Sequence, residues 1–156
     1  MKAKVSDDNN NKYNKSMVES SQQDLATKLQ GEKDWHRSAV FTDSGDVVSA
    51  HKCPLLTDEI KFYVQAFNDR DTTVGEGFFI NNEHFDVHRF HPPLIYGRRG
   101  GPDDGEGIAL CRIKPKQPIA NERVWYLLIT YLLPILSAKA VPQMVKFAEN
   151  YLGTPE

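Results

Sequence analysis

The sequence predicts an α+β fold: a central antiparallel β-sheet with N- and C-terminal helices packed on it. Three observations carry this. β-type runs crowd the stretch from Gly77 to Tyr131 with only short connections between them. Helical spacing of apolar residues is confined to both ends of the folded chain and to one segment after the first hairpin. Between Pro93–Arg99 and Gly107–Ile113, both rich in β-type residues, lies Gly100-Gly-Pro-Asp-Asp-Gly-Glu-Gly107, which supplies turns and resists helix. Strand runs flanked by helices pack as helices on a sheet.

The elements follow in order. Met1 to Lys15 is Asp, Asn, Lys and Ser with little to bury, and reads as a disordered extension ahead of one domain over 16–156. Ser16 to Gln30 has Val18, Leu25 and Leu29 at helical spacing and Gly31 as a stop. Its apolar stripe is thin, so the helix needs a packing partner. Ala39–Phe41 and Asp46–Ala50 around Ser44-Gly45 form a hairpin signal. Pro54 and Thr57 introduce a helix with Ile60, Val64 and Phe67 on one side, ending near Asn68-Asp69. Strands are predicted over Gly77–Asn81, Glu83–Phe90, Leu94–Arg98, Gly107–Ile113 and Arg123–Tyr131. The last helix places Pro142 early, uses Val141, Met144, Val145, Ala148 and Leu152 as its apolar stripe, and stops at Gly153.

Composition narrows the function. A chain of 156 residues with 40% hydrophobic and 26% charged residues suits one soluble domain. A net charge of −2 argues against bulk nucleic-acid or membrane affinity, so any basic patch must be local. The apolar run Val124–Leu136, interrupted by Thr130 and Pro134, is too short to span a bilayer. Nothing at the N-terminus reads as a signal peptide. Cys53 and Cys111 sit in no metal spacing and read as reduced thiols of a cytoplasmic protein.

Candidate chemistry is sparse. In a strand His84 and His88 share a face while His91 points the other way, so they do not converge on a metal. The aspartates at 43, 46, 69, 71, 103 and 104 lie in turns, where Asp bonds to local backbone. No nucleophile elbow or phosphate loop is present, so neither an enzyme nor a cofactor is expected. The cationic set is more specific. Arg98, Arg99, Arg112 and Lys114 are expected at one end of a hairpin, with Ala109, Cys111 and Ile113 on the opposite face. Arg89 shares the parity of Phe85 and Val87. Such a face is either a protein interface with charged anchors or a solvated sheet surface, and composition does not separate the two.

From about Leu29 to Leu152 the chain resembles profilin, the small actin-monomer-binding protein. The likeness rests on Arg37-Ser-Ala-Val-Phe41, Val47-Val-Ser-Ala50, Phe85-Asp-Val-His-Arg89, Ile95-Tyr-Gly-Arg98, Gly107-Ile-Ala-Leu-Cys-Arg112 and Val145-Lys-Phe-Ala-Glu-Asn-Tyr-Leu152. Its divergence and its N-terminal extension are similar to an Asgard-type archaeal or early-branching member. The resemblance implies a monomeric, cytoskeletal actin-monomer binder. It implies contacts at Val87, Arg89, Arg98, Arg99, Arg112 and Lys114, and at Ser137, Ala138, Lys139, Gln143, Lys146 and Phe147. Polyproline binding is implied at positions occupied here by Gln22, Leu25, Val48 and Tyr151, of which only Tyr151 is aromatic; Tyr13, Trp35 or Phe147 could rebuild the platform. Phosphoinositide binding is implied through Arg98, Arg99, Arg112, Lys114 and Lys116, and the extension is expected to modulate the proline site. The rival is a roadblock- or longin-like scaffold for small GTPases, which stable dimerisation would favour.

Overall fold

Eight antiparallel strands form the sheet in a computed structural model that describes residues 23–116 and 123–156. They are β1 (Arg37–Thr42), β2 (Val47–His51), β3 (Phe78–Ile80), β4 (Glu83–His91), β5 (Leu94–Arg99), β6 (Glu106–Pro115), β7 (Trp125–Leu132) and β8 (Gly153–Pro155). Their order is β2-β1-β7-β6-β5-β4-β3, with β8 paired to the end of β6. Helix α1 is described over 23–31. The others are α2 (Thr57–Gln65), α3 (Arg70–Glu76) and α4 (Ser137–Tyr151). The N-terminal extension, Gln22, Tyr13 and the start of the first helix lie outside the described residues.

Side-chain alternation divides the core in two. Ala109, Cys111 and Ile113 of β6 and Leu127, Ile129 and Tyr131 of β7 pack against α1 and α4 through Leu25, Leu29, Met144 and Phe147. Ile108, Leu110, Tyr126 and Leu128 turn the other way, toward Ile60 and Tyr63 of α2. Because both faces of β7 are covered, its sequence is a continuous apolar run rather than an alternating one.

Three predictions need correction. α3 is missing from the sequence reading because Arg-Asp-Thr-Thr-Val-Gly-Glu has no apolar periodicity. It forms on local bonds: the Asp69 side chain accepts from the Thr72 amide at 3.2 Å, and the Thr73 hydroxyl donates to the Ala66 carbonyl at 2.6 Å. α4 starts at Ser137, so Pro142 lies inside the helix instead of in its first turn. Gly153 does not simply stop α4; it opens β8, where a Cβ would fall against the Lys114 carbonyl oxygen, so only glycine allows this close approach.

A fourth difference bears on the candidate site. The pairing of β4 with β5 slips between Val87 and Arg89, from Val87↔Gly97 to Arg89↔Tyr96. This bulge breaks the alternation, and Phe90 joins Phe85 and Val87 on the α2 side. Arg89 therefore leaves the face on which simple parity placed it, and is exposed opposite Tyr96.

Candidate functional site

The four expected strand cations do not form one patch. Arg98 and Arg99 lie at the turn end of the β5–β6 hairpin, where Arg99 pairs with Glu106. Arg112 lies six residues further along β6, about 20 Å away at the strand rise. Neighbouring residues on a strand also point to opposite faces. Tyr96 and Arg98 share the parity of the α1/α4 side, whereas Arg99, Arg112 and Lys114 lie on the α2 side.

Arg99 belongs to a buried ion-pair network. Glu106, 0% exposed, accepts from Arg37 Nε at 3.0 Å and Nη2 at 2.8 Å, and from Arg99 Nε at 3.0 Å. Glu83 reaches Arg37 Nη2 at 2.8 Å and Arg99 Nη2 at 3.2 Å. Two cations thus face two carboxylates across β1, β4, β5 and β6. Burial pushes the Glu106 carboxyl up, but Thr130, Arg37 and Arg99 outweigh it and hold it below the usual carboxylate range. Arg37, opposed by burial but held by Glu106 and Glu83, is raised. The network ties strands together and presents little net charge to a partner. Sequence reading missed it because Glu106 sits in a glycine-rich turn sequence that hides its place as the first strand residue.

At the far end of β6 the arrangement reverses. Arg112 stands over the Phe67 ring at 4.6 Å and donates from Nε to the main-chain oxygen of Glu156 at 2.6 Å. Lys114 is exposed beside β8, across from Thr154. Neither these two nor Arg89 pairs with a side-chain carboxylate among the described residues. Val87, by contrast, is 4% exposed and supports the surface from beneath.

The start of α4 borders the turn end. Ser137 Oγ and the Tyr131 hydroxyl share a hydrogen bond of 2.6 Å. Gln143 donates to Asp34 at 2.9 Å, and Lys139 pairs with the same carboxylate at 3.1 Å. The hydrogen bonds from Gln143 and then Lys139 lower the Asp34 pKa. Ala138 and Lys146 are exposed, while Phe147 is buried at 2% and is a core residue rather than a contact. Two leucines missed by the sequence reading stand out here: Leu132 is 41% and Leu136 54% exposed. The signal was available, since the apolar run continues past the predicted strand end through Pro134.

A profilin family model matches residues 20–117. The chain belongs to the profilin family. Solved structures agree in fold. Acanthamoeba castellanii profilin IA superposes with a TM-score of 0.67 at 19% identity, covering 83% of this chain and 94% of its own. Schizosaccharomyces pombe profilin gives 0.58 at 21%, covering 78% and 90%. LokiProfilin1, solved in complex with rabbit actin, gives 0.56 at 12%, covering 86% and 93%. No curated protein matches the chain in sequence. The family match removes the ground for the small-GTPase scaffold reading.

In this profilin the region between the terminal helices is aromatic, but differently from the expected positions. Leu25 is core, Val48 is half-buried against the same cluster, and Gln22 lies outside the described residues. Trp35 contacts Phe147 at 5.2 Å, and Phe147 meets Tyr151 edge-on at 4.9 Å. Tyr151, 45% exposed, offers a ring to solvent, with Lys28 Nζ 4.3 Å from its centroid. Trp35 and Phe147 are too buried to offer more than support.

The remaining candidates stay apart. No group of His, Cys, Asp or Glu suited to a metal occurs among the described residues. His84 Nε2 bonds to the Glu76 carbonyl at 2.9 Å. Cys53 and Cys111 are free and buried, and burial pushes both thiols up to about 12. No described helix is long and apolar enough to cross a membrane.

Proposed function

We propose that this chain binds actin monomers, holds back spontaneous nucleation and delivers monomers to growing barbed ends, as a monomeric cytoplasmic protein without catalysis. The observation that carries this is membership of the profilin family together with a fold shared with a profilin solved on actin. Arg89 and Lys114 supply exposed cations that meet no side-chain carboxylate among the described residues, Arg98 lies at the turn end of β5, and Ser137, Ala138, Lys139, Gln143 and Lys146 follow the exposed Leu136 along α4. By parity Arg89 and Arg98 share the α1/α4 side with the α4 residues and form one candidate contact set, whereas Arg112 and Lys114, on the α2 side, form a second. Arg99 joins the reading through the network that fixes the sheet, and Val87 and Phe147 through the core below it. Preference for one actin conformation would also shift the monomer's nucleotide exchange.

Two finer activities receive unequal support. Among the described residues between the terminal helices, a proline-rich segment would find one exposed ring, Tyr151, and an adjacent apolar wall, which favours weak, rebuilt binding. Phosphoinositide binding has less, since the cations expected to act together are divided between the two ends and faces of the hairpin.

Actin assembly followed from monomers with increasing protein tests the main reading. A longer lag and slower growth are expected. Unchanged assembly of actins from several sources would overturn it.

A further inference from the structure

Among the described residues between the terminal helices, Tyr151 carries the exposed aromatic ring, at 45% exposure. Phe147 fixes it from one side, meeting it edge-on at 4.9 Å, and Phe147 in turn leans on Trp35 at 5.2 Å. The ring is covered as well. Lys28 of α1 sets its ammonium over it, 4.3 Å from the centroid. The same nitrogen pairs at 2.8 Å with Asp24, one turn earlier in the helix. α1 therefore holds a cation against the last residue of α4.

A cation at that distance is in cation–π contact and leaves no room for another group on the same face of the ring. An aromatic face is also what a proline-rich segment needs, because its pyrrolidine rings stack on it. The two uses of Tyr151 exclude each other. Lys28 can give way, since an ammonium is compact, strongly hydrated and carried on a flexible stem. Both of its contacts are weak, because the side chain of Asp24 is 65% exposed and that of Lys28 34%.

We infer that Lys28, held by Asp24, is a lid on Tyr151 that a proline-rich segment displaces when it binds. The lid sets the affinity of the site through its charge, so a change that removes the Lys28 charge or the Asp24 anchor uncovers the ring. Lysine acetylation would have this effect, since it removes the charge and with it both the ion pair and the attraction to the ring. This rests on the polyproline reading, and it makes the weakness of that binding a property of the cover as well as of the missing aromatics.

The test is a titration of the full chain with an end-capped proline decamer, which carries no charge. Lys28→Ala should bind it about three- to tenfold more tightly than wild type, and Asp24→Asn about twofold. In the Lys28→Ala background Asp24→Asn should change affinity by less than about 1.5-fold. Wild-type affinity should rise as salt goes from about 0.01 to about 0.15 M, and Lys28→Ala should lose that rise. Unchanged affinity in Lys28→Ala overturns the lid. Weaker binding overturns it too, and makes Lys28 a contact of the ligand. The wild type alone supplies a second reading. In the free chain the Lys28 ε-methylene protons should lie upfield, shielded by the Tyr151 ring, and saturation with the decamer should return them to the ordinary lysine position. Ordinary positions in the free chain, or shielding that survives saturation, overturn the lid and leave proline binding standing. If neither wild type nor Lys28→Ala binds the decamer at millimolar concentration, the polyproline reading falls and the lid with it.

Discussion

Arg99 and Arg112 sit on adjacent strands, on the same side of one sheet, and do opposite things. Arg99 faces Glu106 and Glu83 and shares them with Arg37, so its charge is spent inside the molecule. Arg112, half-buried, meets a ring and the main-chain oxygen of Glu156 at the end of β8. The difference teaches that a cation on a strand says little by itself; whether its partner is a buried carboxylate or an atom at the surface decides whether it is locked in the interior.

The largest effect expected from breaking this contrast is at Glu106. Glu106→Ala leaves two arginines against a buried site without their shared carboxylate, and removal of one partner from a buried ion pair costs about 3–5 kcal/mol. Urea unfolding measures it. A loss below about 1 kcal/mol would mean that water or Glu83 already screens the network.

Next comes the opposite end of β6. Reversing two charges there, Arg112→Glu with Lys114→Glu, should weaken actin binding by at least about tenfold while lowering Tm by only a few degrees. Retained affinity would remove this end from the binding surface. A large Tm loss would place Arg112 with Arg99, as a structural arginine.

That the sequence could not separate these two arginines has a physical reason. Alternation placed Arg112 and Lys114 opposite Ala109, Cys111 and Ile113, and the structure keeps that division. The strands, the first hairpin and the helices at each end were likewise legible, because hydrophobic periodicity and turn residues are local signals. Charge compensation is not local. Arg37 and Glu106 stand 69 positions apart, and nothing near either marks the other as its partner. The same holds for Arg112 with Phe67 and Glu156. Arg89 was misassigned to the face of Phe85 and Val87 because a bulge shifts parity without a distinctive residue. α3 and β8 escaped because a capping aspartate and a sterically required glycine hold them, not an apolar stripe.

Acid sharpens the comparison further. The folded Glu106 pKa is held below its ordinary 4.5, so its contribution is present in full above that value and is lost as pH falls through the folded one. Wild-type protein and Glu106→Gln should therefore differ most in unfolding free energy near neutral pH, and the gap should narrow below pH 4.5. No single group can contribute a slope above about 1.4 kcal/mol per pH unit. A gap constant down to pH 3, about one and a half units below the ordinary Glu value, would mean that the Glu106 carboxylate is not what the network depends on.

Lys139 is the intermediate case, and the effect expected from it is the smallest. Its ammonium is paired at 3.1 Å with Asp34, as in the network, but the pair lies on the surface, as Arg112 does. Exposed pairs contribute little to stability, since water screens the attraction and two side chains lose freedom. Asp34→Asn should leave the unfolding midpoint within experimental error. It should also free the Lys139 charge, raising actin affinity about two- to threefold at low ionic strength, with the gain fading as salt shortens the screening length. A gain that persists at high salt would point to a contact made by the asparagine. A loss of affinity would mean that Asp34, through Gln143 and Lys139, orients the start of α4 for binding, so that a carboxylate at the surface can hold a cation in place as Glu106 does in the interior.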